Sequence, residues 1–354
     1  MEFCLLHLGP DPWPRLAGES LKGTLCWNDG PPLAASVRIR GAHSRKFPKR
    51  SLQVTFPREP MSDEPPPGHS IARIHLNADY VDPTLMRSAL SYSLFPMLGV
   101  DAPRWRHVAL TVSGQFAGIY VGLESVDRDF CRRRGWEPGA IFYAINRNAN
   151  FGLLNPFTKG LKEPLERGYL PLNRASTEPL RQMLLAINLA SSNSFPSVAE
   201  RWFEIDRYLG WLMGAVFVGN RDGFVHNYAL YLEPSTERFR IIPWDYDATW
   251  GIDIHGRPAR LDRVPVTGWN KLTHRLLATP ATRGRYRRMF RTALDSSLSP
   301  DALHPMIDAL AAALGPWIDR DPRCRAFDFD AEVGRLKRWA VQRRDLLLTE
   351  LDRF

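Results

Sequence analysis

The segment 219–251, GNRDGFVHNYALYLEPSTERFRIIPWDYDATWG, restricts this chain more than any other. It opens with Arg221–Asp222 and places Asn227 five residues beyond the Asp. Two runs with strand character follow, Tyr228–Glu233 and Arg238–Ile242, around a turn at Pro234–Glu237. A hairpin of this kind carries its end back to its beginning. Trp244–Asp245–Tyr246–Asp247 should therefore return to the neighbourhood of Asn227. Before the segment, Asp206–Val218 reads as a helix with Leu209, Leu212, Met213, Val216 and Phe217 on one face. That helix ends at Gly219 and would hold Asp222 on a rigid element.

The residue types suit one chemistry. An Asp can accept the proton of an attacking hydroxyl, while an Asn and a second Asp share a divalent metal against phosphates. Protein kinases use these groups in this order. Arg–Asp–x4–Asn alone recurs by chance, and the plain alternative makes Asp222 a turn cap with Asp245 and Asp247 solvated. The hairpin with a carboxylate at its end favours a metal–phosphate site.

At 354 residues the chain is long enough for one large domain or two lobes. Its net charge of +9 is compatible with phosphate-rich ligands. Nucleic acid is the bland alternative for a basic protein, but no zinc finger, basic zipper or ribonucleoprotein motif is present. Cys4, Cys26, Cys131 and Cys324 lack metal spacing and read as free thiols of a reducing compartment. No signal peptide or membrane-crossing run is evident. Free thiols of this kind make the cytoplasm the expected location.

Residues 1–35, rich in Pro and Gly, suggest irregular edge strands. Val37–Arg40 and Leu52, Val54 and Phe56 alternate as strands around a basic turn ending in Lys49. The turn is a candidate phosphate cradle with Lys49 as the cation, aided by Arg40 or Arg45; a solvated basic hairpin is the alternative. No glycine-rich lid or Walker loop accompanies it. An acidic partner for the lysine would come from Asp79, Asp82 or Glu124. Pro57–Ser70 reads as a loop, and Asp82 as the N-cap of a helix running from Pro83 to about Leu98. Val108–Val112 and Phe116–Val121 form a hairpin. Leu123–Ser125 then joins strand to helix, so backbone near Glu124 is a candidate adenine contact. Residues 135–177 give only a possible strand, Ala140–Ile145. Helices are predicted at Pro179–Leu189, Asn270–Ala278, Ala281–Ser296, Pro300–Leu314 and Ala331–Leu351. The composition shifts near residue 126, which suggests a strand-rich part (1–126) and a mainly helical part (127–354) with a cleft at their joint.

Four segments, 37–56, 76–98, 115–130 and 219–251, together resemble the CotH family of spore-coat protein kinases. The resemblance runs from about residue 35 to the C-terminal part. It implies an α+β, atypical protein-kinase-like fold with two lobes. It also implies ATP with Mg²⁺ or Mn²⁺ as cofactors, and coat proteins as substrates during sporulation. Asp222 then corresponds to the catalytic Asp, and Asp245, with Asn227 and the possible extra ligand Asp247, to the metal site. The family's Pro–Lys–Lys stands here as Pro48–Lys49–Arg50. AMP transfer on the same fold and a non-catalytic coat scaffold are the rival expectations. Neither nucleic acid nor membrane is an expected partner.

Overall fold

The computed structural model describes residues 1–41, 43–57 and 73–354. Most of the Pro-rich stretch read as a loop, 57–70, lies outside the described residues. Helices and sheets are both present, so the chain is α+β. It divides into two compact units, neither continuous in sequence. One comprises Met1–Leu90, Pro103–Phe130 and Met306–Arg335; the other comprises Ser91–Ala102, Cys131–Pro305 and Leu336–Phe354.

The first unit is built on a closed barrel. Its strands are β1 (Glu2–His7), β2 (Leu21–Trp27), β3 (Leu33–Ile39), β4 (Leu52–Thr55), β5 (Arg73–Asn77), β6 (Trp105–Val112) and β7 (Gln115–Glu124). Their order is β1-β2-β3-β4-β5-β7-β6, and parallel pairing of β1 with β6 closes the ring. Period-two alternation explains the interior. Cys4 and Leu6, Leu25 and Trp27, Val37 and Ile39, Leu52 and Val54, Ile74 and Leu76, and Val108 and Leu110 all join one buried cluster. The expectation of irregular edge strands over 1–35 is corrected: β1 and β2 are full barrel staves. Pro and Gly gather instead in the connections, at the short helix Pro12–Leu16 and at Gly30–Pro31–Pro32. Closure leaves these staves no open edge.

A second correction concerns Asp82. The helix spans Arg87–Met97 and does not begin at Pro83. Leu85 adopts φ 57°, a left-handed conformation that delays the helix. Asp82 still serves as its cap, from five residues away. Its carboxylate accepts the N–H of Arg87 at 2.8 Å and of Thr84 at 2.9 Å, and it pairs with the buried Arg87 guanidinium.

The second unit holds a four-stranded sheet in the order β11-β10-β8-β9. These strands are β8 (Ala140–Ala144), β9 (Tyr169–Pro171), β10 (Tyr228–Glu233) and β11 (Arg238–Pro243). Helices Glu178–Leu189, Phe195–Trp202, Ile205–Phe217, Lys271–Ala278 and Pro280–Asp295 belong to this unit. Helices Pro300–Ile318 and Phe329–Arg353 complete the chain. Helix Ile205–Phe217 is buried continuously from Tyr208 to Phe217, so the single apolar stripe expected for it was too narrow. A helix that is apolar all round lies inside a core. It ends where Gly219 takes φ 70°. No described helix is long and apolar enough to cross a membrane.

Candidate active site

The hairpin expected from sequence forms in register from Tyr228↔Pro243 to Glu233↔Arg238. It therefore sets Asn227 beside Trp244 and Asp245. The Trp244 N–H donates to the Asn227 carbonyl at 3.1 Å, and Asn227 Nδ2 donates to the Asp245 carbonyl at 3.3 Å. Both residues adopt left-handed backbone, φ 61° at Asn227 and φ 63° at Asp245. Asn and Asp tolerate that region better than other non-glycine residues. Strain of this kind clusters at sites where geometry is imposed.

Asp222 opens the 3₁₀ turn Asp222–Phe224, and its backbone carbonyl accepts the N–H groups of Val225 and His226. Sequence reasoning missed the residue that joins this turn to the hairpin end. Asn220, only 3% exposed, accepts the Gly223 N–H at 2.9 Å and donates to the Asp245 carbonyl at 3.4 Å. Its signal was a polar residue ending an apolar helix. The buried Tyr92 hydroxyl accepts the Asp245 N–H at 3.0 Å. Asp222, Asn227 and Asp245 are thus knit together through backbone and amide contacts.

His226 Nε2 lies 3.9 Å from Asp222 Oδ2. Burial lowers the imidazole pKa, against the opposing pull of the Asp222 and Asp245 charges. A neutral ring adds no positive charge beside the Asp222 carboxylate. Beside Asp222 opens a pocket of about 640 Å³, lined by Arg147, Arg221, Val225, Arg263, Pro265 and Trp269 among others. The half-buried rings of Tyr143 and Trp244, the latter next to Asp245, meet edge to face with centroids 5.4 Å apart.

Asp245 is exposed and Asp247 half-buried. Among the described residues, no three His, Cys, Asp or Glu side chains form a ready metal cluster. Mg²⁺ is usually bound through one or two carboxylates, with substrate phosphates and water completing its shell. The oxygen donors of Asp245, Asp247 and the Asn227 amide fit such a hard cation.

Lys49 belongs to the barrel unit and is not solvated. Its ammonium donates to Asp321 Oδ2 at 2.8 Å and to the Ile119 carbonyl at 2.5 Å, and lies 4.9 Å from the Tyr120 ring centroid. Side-chain exposure is 7% for Lys49 and zero for Asp321. None of the three anticipated acidic partners fills the role. Asp82 pairs with Arg87, Glu124 accepts the Arg104 N–H, and the partner found stands 272 residues away in sequence.

The local fold explains why. Pairing of β5 with β7 stops at Asn77↔Val121, so β7 outruns its neighbour. The β6–β7 register slips between Leu110 and Thr111, where β7 carries a bulge ahead of Gly118 at φ 116°. The Ile119 N–H and carbonyl beyond that edge are satisfied by Asp321 Oδ2, at 2.7 Å, and by Lys49. The ion pair stands in for the missing strand. A Cβ on Gly118 would meet Asp321 Oδ2 at 2.5 Å and Lys49 Cε at 3.1 Å. Gly118→Ala is therefore expected to cost about 1–3 kcal/mol through overpacking and positive φ. Denaturant unfolding checks this; a variant as stable as the parent would show that the pair can yield.

Lys49 also borders a pocket of about 320 Å³ with Trp13, Tyr80, Tyr120 and Arg323. The other expected phosphate contacts do not join it there. Arg40 hydrogen-bonds Asn77, and Arg45 ties its own turn to the Gly41 carbonyl at 2.8 Å. The Glu124 side chain is fully buried, and its backbone N–H donates to the Arg104 carbonyl at 2.9 Å.

These residues lie within a recognisable family. The family model described as CotH kinase protein matches residues 37–347. The chain belongs to the CotH family. It is 38% identical over 294 residues to the inner spore coat protein H of Bacillus subtilis strain 168, covering 82% of this chain and 79% of that protein. A second relative from the same strain, an inner spore coat protein H-like protein, is 24% identical, covering 79% and 81%. Among solved structures, the Shewanella oneidensis MR-1 toxin–antitoxin complex of HipA, HipB and operator DNA aligns with a TM-score of 0.35 at 12% identity. That alignment covers 86% of this chain and 59% of the matched chain.

Proposed function

We propose that the chain is an atypical protein serine/threonine kinase that transfers the ATP γ-phosphate to spore coat proteins. The observation that carries this reading is the meeting of Asn227 and Asp245 at the hairpin end, both in left-handed backbone, with the turn that Asp222 opens tied to Asp245 through Asn220 and the Gly223 N–H. Family membership and the coat-protein relative support it.

In this reading Asp222 positions the acceptor hydroxyl and takes its proton as the oxygen attacks phosphorus. Asn227 and Asp245 hold Mg²⁺ or Mn²⁺, with Asp247 as a possible further ligand. The metal, when bound, would offset charge on the phosphates. Lys49, oriented by Asp321, neutralises phosphate charge through its remaining ammonium donor. Arg40, bonded to Asn77, and Arg45, bonded to Gly41, hold the strand and turn before Lys49 in shape, and the buried Glu124 is given no nucleotide contact.

The test is incubation with ATP labelled at the γ-phosphate and Mg²⁺ or Mn²⁺, with a coat-protein extract as acceptor. Metal-dependent labelling of protein at Ser or Thr is expected. A mass gain of AMP would instead identify nucleotide transfer, and absence of any metal-dependent ATP binding would favour a scaffold.

A further inference from the structure

The pocket that Lys49 borders is set by the barrel's topology. Trp13 sits in the connection between β1 and β2, Lys49 in that between β3 and β4, Tyr80 just after β5, and Ala117 near the start of β7. Neighbouring strands here run antiparallel, so all four points fall at the same end of the barrel. Tyr120 belongs to the barrel's buried cluster, and Trp13 and Ala117 pack against it, so the pocket opens onto the barrel's own core. The mouth of a barrel is a recurrent seat for small ligands.

The walls combine rings with unanswered donors. The Tyr80 ring is fixed by Phe47, stacked at 4.8 Å, and by the Arg323 guanidinium, 4.7 Å from its centroid. Arg323 is itself held in place: its Nε donates to the Tyr80 carbonyl at 3.1 Å, and it lies 4.3 Å from the Phe327 ring centroid. Among the described residues, no carboxylate lines this pocket and none forms an ion pair with Arg323. Lys49 spends two of its three ammonium donors on Asp321 and the Ile119 carbonyl. The Tyr120 hydroxyl has no hydrogen-bond partner among the described residues. Burial and the Asp321 charge raise its pKa, so it stays protonated and able to donate.

We infer that this barrel mouth binds a small planar aromatic anion. Its ring would lie among Trp13, Tyr80 and Tyr120, and its carboxylate or phosphate would meet Arg323 and the remaining donor of Lys49. A neutral ring would leave those donors unanswered, and an anion without a ring would leave the aromatic walls uncovered. The volume, about 320 Å³, stands at the small end of ligand pockets, which suits one ring system with a short acidic arm. Two sources present this chemistry: the base and phosphate of a nucleotide, and a free aryl acid. The inference stands on the barrel unit alone and does not require the kinase reading.

The test is calorimetric titration of the whole protein with phenyl phosphate, benzoate, benzyl alcohol and inorganic phosphate. The two charged rings are expected to bind about tenfold or more tightly than the neutral ring or the ringless anion, the worth of one charge-assisted hydrogen bond. Arg323→Gln should remove most of the advantage over benzyl alcohol, and it keeps the backbone N–H that Asp321 accepts. Trp13→Ala should weaken every ring-bearing probe, and Trp13→Phe should restore much of the loss. AMP that displaces phenyl phosphate, and is weakened by the same substitutions, makes the nucleotide the source. Phenyl phosphate binding that AMP does not displace makes the source a separate aryl acid. Equal affinity for charged and neutral rings, or affinities unchanged by both Arg323→Gln and Trp13→Ala, would overturn the inference. Phosphate transfer is scored separately. Transfer without probe binding counts against this pocket alone, and probe binding without transfer counts against the kinase reading alone.

Discussion

Asp222→Ala is expected to abolish phosphate transfer, by about 10²–10⁴-fold for a lost general base, while leaving Mg·ATP affinity nearly unchanged. Asp245→Asn is expected to abolish transfer and also to weaken metal-dependent nucleotide binding. The contrast follows from the contacts assigned to each group. A group that touches only the reacting hydroxyl acts in the transition state, whereas a metal ligand also acts in the ground state. Asn is the better replacement at 245 because the position has φ 63°, which Asn accepts more readily than Ala. Titration with ATP, with and without Mg²⁺, alongside the transfer assay, separates the two. If both variants lose nucleotide affinity equally, the roles assigned here are wrong. If neither loses activity, the kinase reading fails.

Removing either side of the Lys49–Asp321 pair is expected to destabilise the protein by about 3–5 kcal/mol, because the other charge is left buried and alone. Asp321 is the more costly of the two to lose. Its Oδ2 serves Lys49 and the Ile119 N–H, and its Oδ1 serves the N–H groups of Arg323, at 2.8 Å, and Cys324, at 3.1 Å. Lys49→Met combined with Asp321→Asn should cost less than the sum of the single changes, and denaturant unfolding of the four proteins measures that coupling. Additive losses would show that the two groups act independently. The double variant, if folded, also reports on function: unchanged Mg·ATP affinity would remove Lys49 from the phosphate site.

The same carboxylate carries a pH dependence. Burial works to raise the Asp321 pKa, but the Lys49 charge and hydrogen bond, with the N–H groups of Ile119 and Arg323, outweigh it and leave it below the ordinary carboxylate range. A folded-state pKa below the unfolded one gives stability that is present at neutral pH. That stability is lost as pH falls through the depressed value.

Much of the hairpin site could be read from the chain, because its geometry is local. Asn227 and Asp245 are joined by two adjacent strands, and strand patterning alone brings them together. The barrel's first staves were obscured because Pro and Gly crowd the short connections around them, and composition averages over both. The partner of Lys49 was illegible for a different reason. Nothing near residue 321 marks it as a stave substitute, since the need for one arises only where β5 stops short of β7. Asn220 escaped notice because its role depends on both the turn after it and the hairpin end, 25 residues on.

That strand substitute also bears on how the molecule is made. A ribosome delivers every stave of the barrel by residue 124, yet the groups that cover the open stretch of β7 include one from residue 321. Until then the nascent barrel presents unpaired backbone at Ile119, the kind of edge on which neighbouring chains can template. Chains halted before residue 306 should therefore aggregate during synthesis or depend on chaperones, although they contain the whole barrel.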